Sequence, residues 1–352
     1  MHPAVPNSSP KAPWRLFWKS GCIDTLCFGS ECGELSVLQH IAQLLLSESD
    51  TYSHMLQDAL KKGHSFPAAR HQALEKLTGD ASVSQILSEP NNILGIEYLK
   101  ALKKQNSRMV PYTLKRDSSG YHDTKLQPQS SSASAIRNAL RHWEEQPFSR
   151  YPADPQQTPD GFSELLQNQL PENALRLLRD AWNQSCPIET NDFSLLLKYR
   201  LLCETRRSLC EYQDISEDLA NRIIRNRNQF LNFEQFCQLL KTKELTYSRI
   251  SRGLLHILLA VKKEDMLRYR ESSCIYTRIL GFRKEHADVL RQIKENASIP
   301  VITKLGQTDS LLPETIRMLD QTTFASDLYE SVVSDKFGIP FINEYQKQII
   351  HV

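Results

Sequence analysis

Hydrophobic and polar positions change their period repeatedly in the first third of this chain. Thr25-Leu26-Cys27-Phe28 reads as a short buried strand, and Gly29-Ser30 breaks it. Leu35, Leu38, Ile41, Leu44 and Leu45 then recur at the spacing of one helical face. Further helices are predicted over about 53–62, 67–77 and 92–103. Met109 to Leu114 alternates like a strand, and Pro111 assigns it to an edge or a strand start. After a polar loop, a serine cluster at 130–134 is placed to cap a helix running to about Trp143. A strand that ends in Gly-Ser and feeds a helix is half of a nucleotide-binding α/β unit, although a βα turn in any α/β protein can use glycine.

The pattern changes beyond residue 145. Residues 146–170, rich in Pro, Gln and Asp, read as a linker. The remainder, 171–352, is almost all helical in period: Pro171–Asn183, Asp192–Tyr212, Ser216–Asn226, Phe233–Lys241 and Tyr247–Lys262, with Pro300–Thr303 strand-like. No repeat of solenoid length is present. The fold class expected is therefore α/β followed by all-α: a leader over 1–18, a nucleotide-binding domain over 19–145, the linker, and a helical domain over 171–352.

Two short texts carry candidate chemistry. Pro90-Asn91-Asn92-Ile93-Leu94-Gly95 places amides at the start of a helix. Ser132-Ala133-Ser134-Ala135-Ile136-Arg137 places hydroxyls at the start of another, with a guanidinium just past its first turn. Helix N-termini offer free N–H groups and a positive dipole end to phosphate, and Arg grips it. Both texts also suit plain N-capping, so residue type alone leaves the two readings open for Asn91 and Asn92. Arg116 adds a second guanidinium after a strand end. His122-Asp123 offers a general base pair or simply a solvated loop. Further on, the helix starting near Tyr247 has an apolar stripe of Ile250, Leu254, Ile257, Leu258 and Val261, with Arg249, Arg252 and His256 together on another face, and Lys241 and Lys243 just upstream complete a cationic ridge. Such a ridge is either a solvated face or a seat for RNA phosphate, and Tyr247 beside it suits packing or base stacking.

Composition narrows the choices. A length of 352 residues accommodates two cores, 12 glycines suit a helical chain, and a net charge of +2 means that RNA must be met by a local basic face. The eight cysteines form no C-x-x-C, so buried thiols in a reducing cytoplasm are expected, with no metal site. The proline-rich start lacks the apolar core of a signal peptide, and no apolar run is long enough to span a bilayer.

Five texts in order between about Gly21 and Lys304 then point to a family: PNNILGIEYLKAL, LKRDSSGYHD, SSASAIR, KTKELTYSRISRGLLHILL and ILGFRKE with SIPVITK. Together they resemble the bacterial tRNA(Met) cytidine acetate ligases, which have a Rossmann-like nucleotidyltransferase domain and a helical C-terminal domain. The resemblance implies that acetate and ATP, with magnesium, give acetyl-adenylate and pyrophosphate. The acetyl group then passes to the wobble cytidine of elongator methionine tRNA in the cytoplasm. Position by position, it implies ATP contacts at Gly29, Asn91, Arg116 and Asp117, the last through its backbone. It further implies a phosphate-binding motif at Ser132, Ser134 and Arg137, and tRNA contacts at Lys241, Lys243, Arg249 and Arg252. Members of that family open with a strand and an H-x-G-H loop. Here no two histidines stand three apart, and the family-like text starts near Trp18. The expectation is a sheet lacking its first strands and an impaired adenylation. Two rivals follow: a tRNA-binding protein that does not turn over ATP, and an adenylyltransferase acting on a small molecule.

Overall fold

Two parallel strands anchor the first half of the molecule. In a computed structural model that describes residues 19–46, 50–63, 66–78, 81–116, 125–127, 131–144, 165–271, 276–306, 308 and 311–352, β1 (Thr25–Ser30) pairs with β2 (Val110–Lys115), Gly29 opposite Leu114 and Ser30 opposite Lys115. Between them run α1 (Leu35–Leu46), α2 (Asp50–Lys61), α3 (Phe66–Thr78), α4 (Ala81–Ile86) and α5 (Pro90–Lys104). Parallel strands need such a crossover, and α1 and α5 bury one face of the pair. Phe28 from β1 joins Leu38, Ile41, Ala42 and Leu45 of α1 and Ile96 and Leu99 of α5 in one core. Gly95 makes that seating possible: a Cβ there would lie 2.5 Å from the Phe28 ring. On the other face, Val110, Tyr112 and Leu114 alternate outward and are exposed. Then follows α6 (Ala133–Glu144).

The chain divides into two compact units. One comprises residues 1–171 with 291–298, the other 172–290 with 299–352. The 291–298 segment groups with the first unit, where Ser298 N–H donates to the Lys19 carbonyl at 2.9 Å, a return that the linear sequence did not announce.

The second unit begins with α7 (Glu172–Ala181) and continues through α8 (Ser194–Cys203), α9 (Arg206–Leu209), α10 (Glu217–Asn226), α11 (Phe233–Leu240), α12 (Tyr247–Leu258) and α13 (Lys263–Glu271). Leu197, Leu201, Phe230, Phe233, Phe236, Leu240, Ile250, Leu254 and Ile257 form its core. One helix expected over Asp192–Tyr212 is broken at Glu204. That carboxylate turns inward to accept from the Tyr212 hydroxyl at 2.6 Å, and Thr205 caps the next helix in a reciprocal pair with Ser208. The helix expected over Tyr247–Lys262 stops at Leu258, because Ala260 adopts a left-handed φ of 54° and Asp265 accepts from the Lys262 N–H of the next turn. Beyond lie β3 (Thr277–Arg278), β4 (Gly281–Phe282), α14 (Ala287–Asn296), β5 (Val301–Ile302), the long α15 (Pro313–Phe337) and β6 (Ile350–His351). The strand-like Pro300–Thr303 is β5, paired in parallel with β3, and β4 pairs with β6. Of the described cysteines only Cys237 is buried, its thiol pushed up to about 12 by burial; Cys27 and Cys203 are exposed. The expectation of generally buried thiols is corrected accordingly.

Candidate functional site

The carboxyl ends of β1 and β2 gather the first group of candidate residues, where open parallel sheets bind their ligands. Arg116 continues β2, its N–H donating to the Ser30 carbonyl at 3.0 Å. Its side-chain stem crosses Gly29: a Cβ at Gly29 would sit 3.4 Å from Arg116 Cγ. The Arg116 stem thus runs beside Gly29 at the strand end, within van der Waals contact of where a Cβ would stand, and both residues are exposed there.

The turn after β1 is fastened on both sides. Ser30, fully buried, bonds through its Oγ to Thr113 Oγ1 at 2.6 Å and accepts from Gly33 N–H at 3.1 Å. Gly33 turns with a φ of 70°, where a Cβ would lie 2.6 Å from Lys115 Cβ. Cys32 N–H donates to Asn92 Oδ1 at 3.1 Å, and Asn92 Nδ2 donates to the Ile86 carbonyl at 3.1 Å. Asn92 is buried and serves as a brace between the turn and α5.

Between these anchors stands Glu31, which the sequence reading passed over. Its carboxylate accepts from Asn91 Nδ2 at 2.6 Å, Asn91 N–H at 3.3 Å and Asn92 N–H at 2.8 Å. The positive end of α5 therefore already holds a negative group, and the helix is capped by Glu31; Glu89, its own N-cap residue, makes no side-chain cap. An acid directly after a Gly-Ser strand end, facing a helix start, was the available signal.

Ser132 behaves as a cap, its Oγ accepting from Ala135 N–H at 3.0 Å. Arg137 folds back toward the helix start and donates to Ser134 Oγ at 3.3 Å, the direction that long helical side chains favour. Ser131 N–H donates to Gln169 Oε1 at 3.0 Å. A guanidinium and a hydroxyl thus converge at the positive end of α6, an arrangement that suits phosphate. Asp117, His122 and Asp123 lie outside the described residues.

In the second unit the basic ridge occupies a stiff turn. Thr242 Oγ1 accepts from Glu244 and Leu245 N–H groups, and Thr246 caps α12 through Arg249 N–H. Lys241, Lys243 and Arg249 are exposed and form no ion pair with another described residue. Arg252 is different: its Nε lies 2.5 Å from Asp214 Oδ2. His256 Nδ1 sits 3.1 Å from the Gln213 carbonyl and 3.4 Å from Asp214, and burial pulls its pKa down. Tyr247 packs against the core, which favours packing over base stacking.

A parallel strand pair with glycine and arginine at its carboxyl end, an anion-ready helix start and a separate helical unit define a nucleotidyltransferase-type protein. The family model described as HIGH nucleotidyl transferase matches residues 14–339. The tRNA(Met) cytidine acetate ligase of Caldanaerobacter subterraneus subsp. tengcongensis is 36% identical over 308 residues, 87% of this chain and 71% of that protein. That of Acetivibrio thermocellus is 34% identical over 319 residues, 90% and 74% respectively. The chain belongs to the HIGH nucleotidyl transferase family, among the tRNA(Met) cytidine acetate ligases. The crystal structure of apo Thermotoga maritima TmcAL superposes with a TM-score of 0.82 at 24% identity, covering 97% of this chain and 80% of that one, and the form bound with alpha-thio ATP with 0.80. Those likenesses establish the fold.

Proposed function

We propose that this chain activates acetate with ATP and acetylates the wobble cytidine of elongator methionine tRNA. An acetate oxygen attacks the α-phosphorus, the bond to the bridging oxygen breaks and pyrophosphate leaves. The exocyclic amine of cytidine then attacks the acetyl carbonyl, AMP departs and the amine loses a proton. The observation that carries the reading is Arg116 laid across Gly29 at the carboxyl end of the strand pair. In it, Gly29, Asn91 and Arg116, with the backbone of Asp117, hold the nucleotide. Ser132, Ser134 and Arg137 hold phosphate, and Lys241, Lys243 and Arg249 meet tRNA phosphate, with Arg252 shared between RNA and Asp214. The described residues include no group of three or more His, Cys, Asp or Glu suited to a metal ion, so magnesium would be carried on the phosphate oxygens of ATP. No described helix is long and apolar enough to cross a membrane, and a cytoplasmic enzyme working on tRNA fits that.

The second, rival reading is a protein that binds methionine tRNA without turning over ATP. The test is to incubate the protein with ATP, labelled acetate and methionine tRNA, following pyrophosphate release and the wobble nucleoside by mass spectrometry. Acetylcytidine supports the ligase. Retained tRNA binding with neither product supports the second reading, and tRNA-independent pyrophosphate release would point to a small-molecule adenylyltransferase.

A further inference from the structure

We propose that Glu31 is a positioning residue that makes Asn91 a hydrogen-bond acceptor for the nucleoside end of the bound nucleotide. The inference rests on the ATP-site reading above and adds the polarity of one contact.

A carboxylate only accepts hydrogen bonds. The end of the Asn91 amide that faces Glu31, at 2.6 Å, is therefore its NH2. Its carbonyl Oδ1 is the other end, and no described residue donates to it. Asn91 itself is only half-buried. The same carboxylate accepts from the Asn91 and Asn92 N–H groups. A phosphate entering that helix start would meet a negative group already bonded to the donors it needs, so phosphate is disfavoured here.

What remains is an acceptor, and an acceptor reads a donor. In ATP the phosphates and ring nitrogens are acceptors at neutral pH, whereas the ribose hydroxyls and the exocyclic amine of adenine donate. The chemistry matched by Asn91 Oδ1 is thus that of the nucleoside. Glu31 is kept in place from both sides, since Ser30 is tied to Thr113 and Gly33, and Cys32 to Asn92.

Calorimetric titration with ATP, inosine triphosphate, 2′-deoxyATP and 3′-deoxyATP tests this. Inosine triphosphate replaces the amine with a carbonyl, and each deoxy analogue removes one hydroxyl. Wild type is expected to bind ATP about 5- to 100-fold more tightly than the analogue lacking the donor that Oδ1 reads. In Glu31→Gln the new amide can either donate or accept, so Asn91 is free to turn over and that ratio falls toward one; Asn91→Ala should abolish it. A mere helix cap would instead weaken all four nucleotides by one common factor, with a lowered unfolding temperature and an unchanged ratio, and that result overturns the proposal. Equal wild-type affinity for all four overturns it as well. Wild type that binds no nucleotide overturns the ATP reading itself, and this proposal with it. Should Glu31→Gln not fold, Asn91→Ala, which removes the acceptor and leaves Glu31 bonded to the Asn92 N–H, carries the test: the ratio should fall to one, and a ratio like that of wild type overturns the proposal.

Discussion

Glu344 is gripped by Ser326 Oγ at 2.5 Å, Lys347 Nζ at 2.9 Å and an Arg278 guanidinium nitrogen at 2.6 Å. Burial pushes its pKa up, but these three donors outweigh that and bring it down to about 2. A folded-state pKa below the ordinary value means that the unfolded chain binds the proton more readily. The stabilisation is therefore complete above the ordinary carboxylate range and is lost as pH falls from about 4.5 toward 2, amounting to at most about 3 kcal/mol. Denaturant unfolding at pH 7, 5 and 3 should show that loss in wild type and a flatter dependence in Glu344→Gln; parallel curves would mean that the clamp contributes nothing. Arg116 and Arg137 are the matching residues of the proposed nucleotide site. Replacing either with alanine should weaken ATP binding by about 1–3 kcal/mol, the scale of one charge-assisted hydrogen bond. Calorimetry checks this, and unchanged affinity in both variants would remove them from the site.

At the scale of elements, the turn between α11 and α12 and the first turn of α12 present three exposed cations, Lys241, Lys243 and Arg249, on a backbone held by Thr242 and Thr246. If the turn seats tRNA phosphate, replacing Lys241, Lys243, Arg249 and Arg252 by alanine should weaken tRNA binding and leave ATP binding unchanged. It should also flatten the log–log salt dependence by somewhat under ~1 unit for each phosphate no longer neutralised. Because Arg252 is bonded to Asp214, the three-residue variant that spares it should retain most of the effect. Filter binding of methionine tRNA at several salt concentrations provides the reading, and superimposable curves would identify a merely solvated face.

For the whole molecule, the two units bury their apolar surface differently. The helical unit closes a continuous core from α8 to α12, whereas the parallel strand pair covers one face and leaves Val110, Tyr112 and Leu114 exposed on the other. Parallel sheets are ordinarily covered on both faces. Limited proteolysis should consequently digest the 21–145 region well before 171–340, and equal resistance of both would refute the difference.

Hydrophobic period and turn chemistry are local, and what depends on them was legible from residue order alone: β1 with its Gly-Ser end, β2 with Pro111 near its start, α1, the apolar stripe of α12 and the serine cap of α6. Residue type at a helix start likewise singled out Asn91, Ser132 and Arg137, and the order of five texts was enough to point to the family. What lay beyond the sequence are the partners those groups meet, because long-range contacts have no period. Asn91 and Glu31 lie 60 positions apart, and only the parallel pairing of β1 with β2, with α5 drawn onto Phe28 through Gly95, brings that carboxylate to the helix start. The break at Glu204 and the pairing of Arg252 with Asp214 have the same origin. A charge that looks free along the chain finds its counter-charge only when separate elements pack, and in a low-dielectric surrounding that partner decides whether the group can face a ligand at all.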